Sequence, residues 1–361
     1  MGSPAFPVLL DPAHFVGEVD GQPVALFHLH NARGMAVAVC NLGAKVLQIV
    51  VPDRAGVLGD VVLGYDSLAT LQTGSPSMGA FIGRYAGRIG QARYMLDGEA
   101  HLLEANAGAH CLHGGPRGSR HRVFSTRQTR PEALTLRLRF EPSLDGHPGI
   151  VDLTLTYRLT EDNELVVEHE AVAVCKASPA SPASFTPHIF FNLDGPGERT
   201  IDGHQLVVNA STYLVADADN VATGATASLD GHWLDLRAPR RLGGAGPQEQ
   251  PLVIDHAYLV SDACSNEASF GASLSSEASG RTLEVWTTEP VMQVYTADPL
   301  GTGTACDVGK HGVVHLPRAG LCLEPQQYPN AMNCPAFPIN RVAVDRPYRA
   351  RTVYRFGVLT P

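Results

Sequence analysis

Leu134-Thr-Leu-Arg-Leu-Arg-Phe140 and Val151-Asp-Leu-Thr-Leu-Thr-Tyr-Arg-Leu159 decide the fold. The first sets Leu134, Leu136, Leu138 and Phe140 on one side and Thr135, Arg137 and Arg139 on the other. The second sets Val151, Leu153, Leu155, Tyr157 and Leu159 against Asp152, Thr154, Thr156 and Arg158. Successive side chains of an extended chain point to opposite faces, so each stretch reads as a strand with one buried and one wet face. The polar turn Glu161-Asp-Asn-Glu164 then returns the chain into Leu165-Val-Val167, which makes a β-hairpin.

Outward from this hairpin, similar strands are expected at residues 25–29, 35–39, 45–51, 281–287, 292–296 and 352–358, separated by Gly, Pro, Asn and Asp. The best helical signal is at residues 66–71, with Asp66 as the cap and Leu68 and Leu71 turned inward. Many short strands and few short helices predict an all-β, antiparallel sandwich or barrel, with residues 1–361 forming one large domain. The best linker candidates, 176–183 and 243–251, have only loop length, and no period of 20–50 residues recurs to suggest a propeller or solenoid.

Composition narrows the function. The chain has 361 residues, 44% hydrophobic and 17% charged, enough apolar surface for a large core and too little charge for a disordered or coiled-coil protein. Its formal net charge is −9, with no lysine-arginine run, so neither a nucleic acid nor an anionic membrane is the expected partner. The N-terminus lacks a basic start followed by an apolar stretch, and residues 35–52, the most apolar segment, are interrupted by Asn41, Lys45 and Gln48. Seven scattered cysteines without a Cys-x-x-Cys pair read as reduced thiols, and the expected location is cytoplasmic.

Several common motifs are missing. There is no Walker loop, and Gly74-Ser-Pro-Ser-Met-Gly79 does not centre a serine as a nucleophile elbow does. His28 with His30 on a strand, and His311 with His315 on a helix, could each supply half of a zinc site, but no further ligand at suitable spacing completes either pair. No metal is assigned.

Five clusters place an ionisable side chain among residues that prefer burial: Gly83-Arg-Tyr-Ala-Gly-Arg88, Leu112-His-Gly-Gly115, Thr186-Pro-His-Ile-Phe-Phe-Asn-Leu193, Ile254-Asp-His-Ala-Tyr258 and Cys322-Leu-Glu-Pro-Gln326. Burying an unpaired charge is costly, so each group needs a partner or a ligand. Singly, a structural ion pair explains any of them; five together point to a site.

With Val51-Pro-Asp-Arg54, Asp60-Val-Val-Leu-Gly-Tyr-Asp-Ser-Leu68, Leu283-Glu-Val-Trp-Thr-Thr-Glu-Pro290, Gln293-Val-Tyr-Thr296 and Tyr354-Arg-Phe356, these clusters resemble the aldose 1-epimerase (galactose mutarotase) family over essentially the whole chain. The resemblance implies a β-supersandwich with a sugar cleft on a sheet face. It also implies Glu324 as general base, His188 as general acid, and Arg88, His113, Asp255 and Gln293 as groups that hold the sugar. The implied reaction interconverts the α and β anomers of a free aldose such as glucose or galactose. No cofactor is implied; the expected partner is a monosaccharide, and the expected assembly a monomer or homodimer.

The residue types suit that chemistry. Ring opening takes the proton from the anomeric hydroxyl while supplying one to the ring oxygen, so one base and one acid must face two ends of a hemiacetal. Arg88 is expected to keep Glu324 ionised, and an acidic neighbour to keep His188 protonated. Departures from the family pattern are Gly87 for a usual asparagine, Pro187 for asparagine, Phe190 for tyrosine, and Ser119-Arg-His-Arg122 expected near the cleft rim. The competing readings are a carbohydrate-binding module without turnover and a glycoside hydrolase pairing Asp255 with Glu324.

Overall fold

The computed structural model describes residues 8–175, 179–197, 200–244, 246, 249–261, 267–302 and 307–359. Residues 1–7, parts of both linker candidates (176–178, 245, 247 and 248), Cys264 and Cys306 lie outside the described residues.

The alternating stretches pair as their patterns require. Ala133–Phe140, Val151–Leu159 and Glu164–Ala173 are consecutive antiparallel strands with Leu136 opposite Leu155 and Leu155 opposite His169. They lie in a nine-stranded sheet ordered Ser125–Arg130, Ala133–Phe140, Val151–Leu159, Glu164–Ala173, Tyr348–Val358, Arg281–Thr287, Ser269–Ser276, His204–Val208 and Arg240–Arg241. Its wet face carries cross-strand pairs such as Arg139–Asp152 and Arg355–Glu164. Its other face meets a six-stranded sheet, ordered Phe190–Phe191, Leu321–Gln326, Val291–Tyr295, Asp255–Leu259, Thr212–Ala216 and Ala222–Ser228, and a four-stranded sheet containing Ala36–Cys40 and Lys45–Pro52.

One apolar core joins the three sheets. Leu136, Leu155 and Tyr354 from the nine strands pack in it with Leu321, Leu323 and Val294 from the six and with Val37, Val39 and Ile49 from the four. This is a sandwich in which burial of the inner faces supplies the driving force. The expected strands are present, most with ends shifted by a residue; the hairpin's return strand runs from Glu164 to Ala173, and the last strand starts at Tyr348.

The expected helix is displaced. Leu68–Thr73 is capped by Ser67, whose Oγ accepts from the Thr70 N–H, while Asp66 accepts from the His311 N–H instead. A second short helix, Pro142–Asp145, begins on Pro and ends at left-handed Gly146. His311 and His315 do not share a helix face: Lys310–Gly312 is a single 3-10 turn, with His311 at φ 58° and His315 beyond its end. Among the described residues no helix is long and apolar enough to cross a membrane.

Candidate active site

The period-two geometry that builds the core also builds a site on the opposite face of the six-stranded sheet. In Leu321–Gln326, Leu321 and Leu323 enter the core, so Cys322 and Glu324 point the other way. Gln293 lies directly beside Glu324 on the neighbouring strand, and Asp255 comes from the strand after that. A cavity of about 610 Å³ covers this face, and Glu324, His188, Arg88, His113, Asp255 and Gln293 all line it. Six residues scattered along the sequence thus converge on one concave surface.

Arg88 and His113 arrive together. The short ladder of Arg88–Ile89 with Cys111–Leu112 pairs Leu112 with Arg88 and leaves His113 at its exit. His113 has φ 55° and exchanges bonds with Gly87: its N–H donates to the Gly87 carbonyl at 3.1 Å, and the Gly87 N–H donates to its Nδ1 at 3.2 Å. The glycine after it is required by packing, since a Cβ on Gly114 would lie 2.2 Å from the Gly83 carbonyl oxygen. Gly87, where the resemblance leads one to expect an asparagine side chain, therefore meets the imidazole through its backbone.

His188 is held at its stem and around its ring. Its N–H donates to the Ala80 carbonyl at 2.8 Å and its carbonyl accepts from Gly79 at 2.9 Å, so the backbone stays tied beyond Pro187, which has no N–H to give. Phe190 stacks on the imidazole with ring centroids 5.0 Å apart, and Tyr295 meets it edge-on. The Nε2 lies 3.6 Å from Glu324 Oε1, and the Nδ1 lies 3.4 Å from Cys322 Sγ.

The electrostatics differ from the expectation. Burial pushes the Glu324 carboxyl well above its ordinary range, and the nearby Asp255 adds to the shift. Burial also drives the His188 imidazole down to about 3, helped by Arg120 and Lys45. Neither Arg88 nor an acidic neighbour decides the charge of this pair; desolvation does. Each group is driven towards its neutral form, so that a single proton on the pair leaves no net charge buried.

Asp255 is oriented at both oxygens: Gln293 Nε2 donates to Oδ1 at 2.6 Å and Asn220 Nδ2 donates to Oδ2 at 3.1 Å. Burial raises its pKa, with Arg88 and then Gln293 opposing the shift. Asn220, Tyr295 and Cys322 are not among the site residues that the sequence leads one to expect. For Tyr295 and Cys322 the signal was available, because each stands two residues from a selected one on a strand. Asn220 sits in a turn and carried no such mark. Ser119 and Arg120 are buried and do not line the cavity: Ser119 Oγ donates to the Phe81 carbonyl, and Arg120 donates to His121 and to Ser77, which does line it.

His113, His188 and Glu324 bring donor atoms within 4.8 Å of one another, a grouping a metal could use. The hydrogen bonding of His113 argues otherwise. Burial holds this imidazole neutral, the Gly87 N–H occupies the lone pair of Nδ1, and Nε2 therefore carries the proton. Its Nε2–H is free to donate to an acceptor in the cavity, and the ring has no free lone pair for a cation.

Residues 25–355 match the family described as aldose 1-epimerase. The chain is 34% identical over 342 residues to galactose mutarotase of Mus musculus, covering 94% of this chain and 95% of the relative. It is 31% identical over 323 residues to aldose 1-epimerase of Escherichia coli (strain K12), covering 88% and 90%. The structure matches that of a GalM/aldose epimerase homologue from C. elegans with a TM-score of 0.85 at 26% identity, over 93% of this chain and 100% of that one.

Proposed function

The chain belongs to the aldose 1-epimerase family, and from the site it builds we infer that it interconverts the α and β anomers of a free aldose with Glu324 as base and His188 as acid. The observation that carries this reading is the approach of His188 Nε2 to Glu324 Oε1, 3.6 Å apart at one wall of the cavity. The productive state is the carboxylate–imidazolium form of the pair, reached from the neutral form when the Glu324 carboxyl passes its proton to His188 Nε2. Glu324 takes the anomeric hydroxyl proton, C1=O1 forms, the C1–O5 bond breaks onto the ring oxygen, and His188 Nε2 supplies its proton there. Rotation about C1–C2 presents the other carbonyl face, and the same two groups run in reverse to close the ring.

The remaining residues fit binding. His113 offers an Nε2–H, Arg88 a fixed fork of donors, and Asp255, steadied by Gln293 and Asn220, accepts sugar hydroxyls. Acid and base catalysis contribute roughly 10²–10⁴-fold each, enough for a reaction that also proceeds unaided in water. The hydrolase reading is disfavoured because both Asp255 oxygens already accept hydrogen bonds, which suits an orienting group better than a nucleophile.

Nuclear magnetic resonance exchange between the α and β anomeric protons of galactose, glucose and several pentoses tests the reading and ranks the substrates. Accelerated exchange without release of phenol from an aryl glycoside is expected. Sugar binding without faster exchange would select a carbohydrate-binding module.

A further inference from the structure

One strand flanks both ring nitrogens of His188. Cys322 and Glu324 are two residues apart on Leu321–Gln326 and share a face, with Cys322 Sγ 3.4 Å from Nδ1 and Glu324 Oε1 3.6 Å from Nε2. Cys322 also pairs in the ladder with Phe190, whose ring stacks on the same imidazole. The thiol is fully buried, and burial with Glu324 and Asp255 pushes its pKa well above the ordinary thiol value. It is therefore a neutral sulfur and no nucleophile.

We propose that Cys322 is a positioning residue whose Sγ accepts the Nδ1–H of His188, so that Nδ1 keeps its proton throughout the cycle and Nε2 is the nitrogen that gives and retakes one. This rests on the acid–base reading above. When imidazolium transfers its Nε2 proton to the ring oxygen, the N–H bond breaks, the O–H bond forms, and a neutral ring remains with its lone pair on Nε2. Ring closure returns that proton only if the lone pair stays there, which requires the Nδ1–H tautomer. With the opposite tautomer Nε2 would already hold a proton and could accept none.

Sulfur suits the task for an electrostatic reason. A carboxylate behind Nδ1 would stabilise the imidazolium and weaken it as an acid. A neutral thiol orients the ring without adding charge, which keeps the acid strong beside the positive charges of Arg120 and Lys45.

The test combines nitrogen-15 spectra of histidine-labelled protein, with His188 identified by its loss in H188N, and steady-state kinetics of Cys322→Ala and Cys322→Ser. Neutral His188 is expected as the Nδ1–H tautomer in the parent. Cys322→Ala should mix the tautomers and lower kcat about five- to tenfold, the loss of one neutral hydrogen bond, with KM unchanged within about twofold. Cys322→Ser, which keeps an acceptor, should recover most of kcat. An Nε2–H tautomer in the parent overturns the proposal even if Cys322→Ala fails to fold, and so does a Cys322→Ala enzyme with parental kcat. Near-parental rates in H188N would instead overturn the acid–base reading itself, whatever the tautomer.

Discussion

His188 Nε2 and Glu324 Oε1 face each other at 3.6 Å at one wall of the cleft, one fixed by backbone bonds to Gly79 and Ala80 and the other by the second strand of a six-stranded sheet, beside Gln293. Neither side chain reaches this position through a flexible loop. On the proposed reading the acid–base geometry is therefore set before a sugar arrives, and the other lining residues can be tested as binding groups.

Arg88 lines the cavity without sharing the acid–base contact. Arg88→Ala removes charged donors worth about 1.5–3 kcal/mol, so KM should rise roughly 10- to 100-fold while kcat changes much less. Saturation curves measured with one aldose check this, and an unchanged KM would remove Arg88 from the sugar site.

Asn220 acts one step back, through Asp255 Oδ2. Asn220→Ala leaves Gln293 as the carboxylate's remaining side-chain donor, so KM should rise by about threefold, in keeping with an exposed hydrogen bond worth under 1 kcal/mol. The unfolding temperature should be unchanged; a fall in stability with unaltered KM would assign the contact to folding.

Gly87 combines φ 79° with a close approach in which an added Cβ would lie 2.9 Å from Pro329 Cβ. Gly87→Ala should cost about 1–3 kcal/mol of stability and shift the N–H that holds His113, raising KM. Thermal unfolding and kinetics of the variant read both effects, and parental values for both would contradict the packing argument.

Glu289 is buried near the end of the Leu321–Gln326 strand, accepting from Tyr348 Oη and from Gln327 Nε2. Burial raises its carboxyl from 4.5 to about 7, against the hydrogen bonds from Tyr348 and Gln327. The folded chain thus binds this proton more tightly than the unfolded chain, so the group's stabilisation is complete below about pH 4.5 and is lost as pH rises through about 7. The unfolding midpoint of the parent should fall more steeply between those pH values than that of Glu289→Gln; parallel curves would exclude Glu289 as the source.

The sandwich was legible because Leu134–Phe140 and Val151–Leu159 repeat with a period that only an extended chain satisfies, and the structure pairs Leu136 with Leu155 accordingly. The clusters around Arg88, His113, His188, Asp255 and Glu324 were legible as charge set among apolar residues, and the cavity collects them. Their protonation was not legible. Sequence shows that Arg88 and Asp255 exist but not how far water is excluded, and exclusion outweighs both in fixing Glu324 and His188. Ser67 took the helix cap from Asp66 because Asp66 is drawn to the His311 N–H, a contact between distant segments that no local pattern encodes.

The most direct test is polarimetry of freshly dissolved α-galactose with the parent protein, Glu324→Gln and His188→Asn at matched concentrations. The parent should hasten the approach to equilibrium rotation, and each variant should lose roughly 10²–10⁴-fold in kcat while binding sugar within several-fold of the parent. Near-parental rates from either variant would contradict the assignment of the carboxylate and the imidazole as the groups that open and close the ring.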